Sequence, residues 1–176
     1  TMTSALIFGG NTLPPPGITN ITESWNGTTW TEVADLNQSK DHITGYGASN
    51  TSAMCVGGHV NAPSALPAIN TSETWDGSAW TEGTNLPTSR SYGAGSGIET
   101  AGLYVSGIGL PPLSPQYTAE TYEYDGTSWT EGGDVGTASY DGGAIGTQTA
   151  ALYFGGRIEG PPAVDTAIST QYNGTA

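Results

Sequence analysis

Positive charge is nearly absent from this chain. Lys40, Arg90 and Arg157 are its only cationic side chains against 16 Asp and Glu, a formal net charge of −13 over 176 residues. Nucleic acid and anionic membrane surfaces draw their affinity from Lys and Arg, so neither is an expected partner. The single cysteine, Cys55, rules out an intrachain disulfide and, inside an apolar run, reads as a small buried hydrophobe. No apolar run approaches the roughly 20 residues of a helical membrane span, so membrane insertion is not expected. The two histidines, His42 and His59, lie seventeen residues apart, with no HExxH and no Cys/His zinc spacing. Neither a metal nor any other cofactor is expected. Helical periodicity is missing as well, which excludes helical repeats.

What the chain has is glycine, 27 residues of it, and repetition. The phrase ESWNGTTWTE at 23–32 recurs as ETWDGSAWTE at 73–82 and YEYDGTSWTE at 122–131, and a fourth copy, QYNGTA, begins at Gln171. Apolar runs ending in small residues begin at Ala5 (ALIFGG), Ala53 (AMCVGG), Gly102 (GLYVSG) and Ala151 (ALYFGG), at intervals of 48, 49 and 49 residues. Self-similarity at this period means a solenoid, a propeller or an array. Asn-Gly or Asp-Gly between large β-formers is a hairpin signal, and the pairs at 26–27, 76–77, 125–126 and 173–174 each predict a tip, of two-residue type I′ geometry.

Each unit then reads as four strands. A Gly-rich segment (GYGAS at 45–49, SYGAGSG at 91–97, DGGAIG at 141–146) is followed by the apolar run, a loop of about a dozen residues, and the hairpin. The apolar run lacks alternation, so both its faces should be buried. A strand of Gly, Ala and Ser is poor on propensity but fits where sheets converge on an axis. The expected fold is all-β, a β-propeller of four-stranded antiparallel blades with the Gly-rich strand innermost. The units are 1–40 (partial), 41–90, 91–139 and 140–176 (partial). About three and a half blades are present, and because the chain opens on Thr1–Met2 and closes inside a hairpin, they are expected to belong to a longer array.

The glycine pair closing the apolar run (Gly9–Gly10, Gly57–Gly58, Gly155–Gly156), the aromatic and Trp of the hairpin, and the basic residue before the next Gly-rich strand (Lys40, Arg90) together resemble kelch repeats. Three departures stand out. The aromatic-to-Trp spacing is five residues, Ser106 replaces a glycine of the pair, and Ser139 stands where Lys40 and Arg90 stand in other units. The low-charge, Thr/Gly-rich style is similar to kelch-like arrays in virion proteins of tailed, especially marine, bacteriophages. That resemblance implies a structural or adhesive role on a virion or another extracellular particle, with other blades or subunits as partners.

Function is sought where the units differ. Turns joining the first two and the last two strands are short and uniform, whereas the loops between second and third strands differ in every unit: NTLPPPGITN, HVNAPSALPAIN, IGLPPLSPQY and RIEGPPAVDT. In an antiparallel blade those loops share one face with the connections between units, and diversity on a rigid scaffold concentrates in such loops. Asp41, His42, His59, Asn61, Tyr117, Tyr140, Asp141, Arg157 and Glu159 are the chemically distinctive members of that face. They are the candidate binding residues, for a cell-surface glycan or protein, or else they only cover the propeller's underside. No catalytic residue is assigned. A carbohydrate-active enzyme such as a sialidase or copper oxidase is the first rival and would require acids, Tyr or His clustered at the axial mouth. An intracellular kelch adaptor is the second, opposed by the scarcity of cations. Asp76–Gly77–Ser78–Ala79–Trp80 resembles the Asp box of sialidase propellers, but its Asp and Gly are adjacent, which reads as a plain turn. The repeated Trp30, Trp80 and Trp129 read as cement between blades or as sugar platforms, and Glu32, Glu82 and Glu131 as a solvated acidic ring or a calcium site.

Overall fold

A computed structural model describes residues 3–12, 17–60, 68–109, 117–158 and 163–174. Its main strands form four successive antiparallel sheets, and two short pairings, Asn11–Thr12 with Gly17–Ile18 and Arg90–Ser91 with Ile108–Gly109, lie beside them. Blade 1 holds β1 (Ala5–Phe8), β2 (Thr22–Trp25) and β3 (Trp30–Glu32). Blade 2 holds β4 (Thr44–Ser49), β5 (Ser52–Val56), β6 (Ser72–Trp75) and β7 (Trp80–Glu82), hydrogen-bonded in that order. Blade 3 repeats the pattern with β8 (Ala94–Ile98), β9 (Ala101–Val105), β10 (Thr121–Tyr124) and β11 (Trp129–Glu131). Blade 4 holds β12 (Tyr140–Thr147), β13 (Ala150–Ile158) and β14 (Ser169–Tyr172). The Gly-rich strands β4, β8 and β12 lie side by side, so the sheets radiate from a common axis as the blades of a β-propeller.

Glycine is needed at that axis for a steric reason. A Cβ added to Gly95 in β8 would lie 2.6 Å from both Thr44 Cγ2 and Tyr46 Cδ1 of the neighbouring inner strand. The second strand of each interior blade is sealed on both faces: Met54, Cys55 and Val56 in β5, and Leu103, Tyr104 and Val105 in β9, are at most 1% exposed. Burial pushes the Cys55 thiol up to about 12, so it is an inert part of the core.

Three of the four expected hairpin tips occur where the Asn/Asp-Gly pairs stand, but with a different geometry, and the far side of the fourth, after Gly174, lies outside the described residues. Trp25 pairs with Trp30, Trp75 with Trp80 and Tyr124 with Trp129, which leaves four residues in each loop rather than two. Only the glycine has positive φ, 96° at Gly27, 94° at Gly77 and 93° at Gly126. The preceding side chain does the remaining work. Asp125 Oδ1 accepts the N–H groups of Thr127 and Ser128 at 2.8 Å each, and Asn26 and Asp76 repeat the pattern. Asp76 is thereby a turn residue, not part of an Asp box.

The closing pairs and the residues at 40, 90 and 139 hold one blade to the next. The N–H of the second residue of each closing pair donates to the carbonyl at the start of the following blade: Gly10 to Lys40 at 2.8 Å, Gly58 to Arg90 at 2.9 Å, Gly107 to Ser139 at 3.0 Å. Lys40 and Arg90 are each 1% exposed and are neutralised by acids of the blade they precede, Lys40 by Glu73 at 2.6 Å and Arg90 by Glu120. Ser139 carries no charge to neutralise. It bonds Ser106, whose hydroxyl reaches the Ser139 carbonyl at 2.6 Å, and its own hydroxyl lies 2.8 Å from that of Tyr153. The serines at 106 and 139 are therefore a single paired change.

The repeated tryptophans are cement in the interior. Trp80 Nε1 donates to Thr22 Oγ1 of blade 1 at 3.0 Å and its ring meets Phe8 edge-on at 4.7 Å, while Trp129 Nε1 donates to the Thr84 carbonyl at 2.8 Å. Trp30, on the first blade described, is 45% exposed. Glu32, Glu82 and Glu131 are solvated.

Candidate functional site

The connections between blades carry an unusual backbone. Two residues beyond Lys40, Arg90 and Ser139 stand His42, Tyr92 and Asp141, with φ of 50°, 57° and 58°. Left-handed conformation is uncommon outside glycine and concentrates at functional positions. A backbone ladder holds it here: Tyr92 N–H donates to the His42 carbonyl at 3.0 Å, and Asp141 N–H donates to the Tyr92 carbonyl at 2.9 Å. The three equivalent residues of blades 2, 3 and 4 are thus tied in a row at the axial mouth.

Side chains gather around this row. The Asp41 and His59 backbones exchange two hydrogen bonds, of 3.0 and 2.8 Å, which locks the loop between β5 and β6 against the connection entering blade 2. His42 lies 5.4 Å from the His59 ring and 4.0 Å from that of Tyr92. Tyr92 meets Tyr140 edge-on at 6.0 Å, Tyr140 stacks on Tyr117 at 5.0 Å, and the Arg157 guanidinium stands 5.9 Å from the Tyr140 centroid. Seven of the nine residues singled out in the sequence therefore meet in one continuous patch contributed by three blades. Asn61, Glu159 and the middle portions of the variable loops lie outside the described residues.

Burial varies across the patch. Asp41 (6% exposed), His59 (8%) and Tyr140 (9%) form its floor, with His42, Asp141 and Arg157 exposed above it. Burial first, then the neighbouring His42, holds the His59 imidazole below its ordinary value, so it is neutral at physiological pH. Burial, followed by the carboxylates of Asp141 and Asp41, lifts the Tyr92 hydroxyl above its ordinary value and keeps it protonated. The mouth thus offers aromatic faces, neutral donors and two carboxylates at close quarters. Asp41, His42 and His59 also bring one oxygen and two nitrogens within 4.8 Å of one another, a grouping that their separation in the sequence hides. Grooves also lie away from the mouth. One of about 470 Å³ runs along β1 beside β4, and another of about 570 Å³ lies between blades 2 and 3 at the turns of the opposite face.

Tyr92 is the member that sequence reasoning missed. It sits inside SYGAGSG, which reads as inner strand, but strand pairing with β9 begins only at Ala94. Counting two residues from Lys40, Arg90 and Ser139 would have aligned Tyr92 with His42 and Asp141.

Blades radiating from an axis, with a cluster of loop residues at one mouth, define a β-propeller with a candidate binding site at one end of its axis. The solved structure of YjhT is similar to this chain at a TM-score of 0.70 and 12% identity, a likeness of fold alone. The match covers 88% of this chain and 49% of YjhT, so this chain spans about half the length of that structure. No family model and no curated protein matches the chain.

Proposed function

We propose that this chain is a non-enzymatic structural and binding module whose mouth adheres to glycan or protein. One observation carries this reading: loop residues from three blades converge into one aromatic-floored patch. Over the buried Tyr140, Tyr92 and Tyr117 supply flat apolar faces for sugar rings, and Asp141 and Arg157 supply hydrogen-bonding groups for hydroxyls, the mixture that ligand sites use. Glycan is the occupant this mixture favours. The kelch-like residues and the acidic, Thr/Gly-rich composition support a place on a virion appendage or another extracellular particle. Further blades or subunits are the proposed cover for the exposed Ile7, Ile145, Leu152 and Phe154 on the outer blades.

The test is glycan-panel binding by the native chain and by a Tyr92→Gly/Tyr117→Ala variant. Glycine suits φ 57° at position 92 better than tyrosine does, so the melting temperature should hold while binding falls at least about tenfold. Equal binding by the variant would reduce the mouth to a structural role.

A second reading is favoured by the same cluster. A carbohydrate-active enzyme on this architecture requires acids, Tyr or His at the axial mouth, and Asp41, His42, His59, Tyr92, Tyr140 and Asp141 stand there. Mass spectrometry of the bound glycans after incubation separates the two: intact ligand supports adhesion, and cleavage or oxidation abolished by Asp41→Asn supports the enzyme.

A further inference from the structure

We propose that Asp41, His42 and His59 form a binding site for a divalent transition-metal ion of the zinc class, where the sequence gives no reason to expect a metal. The site is independent of the glycan reading, because metal binding is measured with no glycan present.

The geometry is specific. Both imidazoles turn Nδ1 toward one carboxylate oxygen, Asp41 Oδ1, at 3.1 Å from His42 and 4.0 Å from His59. The first distance is a close polar contact. The second is too long for a hydrogen bond and short enough for two groups that share a cation. The other carboxylate oxygen is already occupied, since Asn11 Nδ2 donates to Asp41 Oδ2 at 3.2 Å. That bond fixes the carboxylate plane and leaves Oδ1 to the histidines, the outer-partner arrangement that orients metal ligands.

The backbone fixes all three donors. Asp41 and His59 sit on paired backbone positions, and His42 is held at φ 50° by its bond to Tyr92. Zinc bonds of about 2.0–2.2 Å place neighbouring ligand atoms roughly 3.3–3.6 Å apart. Three atoms within 4.8 Å need only a small inward swing to reach that spacing, and His42, with a 37% exposed side chain, is free to make it. Two nitrogens and one oxygen suit zinc, nickel or cobalt, whereas calcium and magnesium take oxygen ligands. Three protein ligands leave further coordination positions for water or a ligand, on the side of the exposed His42.

The test is isothermal titration of the untagged, chelator-stripped chain with zinc chloride near neutral pH. One zinc per chain is expected, with no heat from calcium chloride. His42→Asn and His59→Asn should each weaken zinc by more than the roughly tenfold that even an outer partner is worth. Asn tolerates the left-handed backbone at position 42, so His42→Asn keeps the fold, as an unchanged circular dichroism melt would confirm. Absence of zinc binding by the native chain overturns the proposal. So does stoichiometric binding that is undiminished in a folded His42→Asn variant.

Discussion

Strand β5 of blade 2 and strand β13 of blade 4 occupy the same place in the repeat, yet they meet different surroundings. Met54 and Val56 are fully buried, while their counterparts Leu152 and Phe154 are 39% and 43% exposed. In β1 of blade 1 the opposite face is open: Ile7 is 51% exposed where the equivalent Cys55 is fully buried. An apolar run without alternation is buried on both faces only when a blade stands on each side. Burial in such a fold belongs to the junction between neighbours rather than to the repeat itself.

Trp80 and Trp30 should break this comparison most clearly if it is wrong. Trp80→Ala empties a junction between blades and should cost about 3–5 kcal/mol in denaturant unfolding. Trp30→Ala, at an identical sequence position but 45% exposed, should cost no more than about 0.5 kcal/mol. Equal costs would mean that the motif itself stabilises the blade, without its neighbour.

The ion pairs sharpen the contrast at the next level. Glu73→Gln strands the buried Lys40 ammonium and should cost about 3 kcal/mol, because an unpaired buried charge keeps its desolvation penalty. Asp165→Asn removes the partner of Arg157, 3.1 Å away on an outer blade, where the two side chains are 89% and 44% exposed. That change should stay within the roughly 0–1 kcal/mol of surface pairs. Unfolding of the two variants side by side is the check.

The smallest effect separates the hairpins. Hydrogen bonds from Ser128 and Thr127 hold the Asp125 carboxyl down to about 2, and the Ser78 hydroxyl, with the Ala79 and Ser78 N–H groups, lowers that of Asp76. A depressed folded-state value means stability that is complete above the ordinary carboxyl value and lost as pH falls through the folded one. The Asp125 tip should therefore loosen between about pH 4 and 2, and the Asp76 tip as pH falls below the ordinary carboxyl value. Asn26 makes the same turn without a proton to gain. Amide exchange at 77–79 and 126–128, compared with 27–29 across that range, should show the difference, and Asp125→Asn should remove it from blade 3.

Much of this architecture was legible in the sequence because it is written in local chemistry. Asn/Asp-Gly pairs located every tip described, and the apolar and Gly-rich runs located the inner strands. Tip geometry was not legible, since the aspartate side chain replaces the second positive φ that a type I′ turn demands. The buried pairing of Lys40 with Glu73 was hidden too, as both side chains read as surface groups until a neighbouring strand encloses them. The same holds for Ser106 and Ser139, two separate irregularities until the fold places one against the other. At the mouth, the variable loops and connections pointed to Asp41, His42, His59, Tyr117, Tyr140, Asp141 and Arg157. Their convergence, and the grouping of the two histidines on one aspartate, depend on pairing between distant segments.

The ladder through 42, 92 and 141 has a consequence for how such a mouth changes over time. Its bonds run through main-chain N–H and carbonyl groups, so the scaffold dictates a conformation at these three places and no particular side chain. Histidine, tyrosine and aspartate already occupy equivalent sockets in three adjoining blades. A base, an aromatic plate and an acid are thus interchangeable parts on a common mount. The chemistry of the mouth is free to be rewritten one socket at a time, by inheritance or by an engineer, while the propeller beneath it keeps its shape.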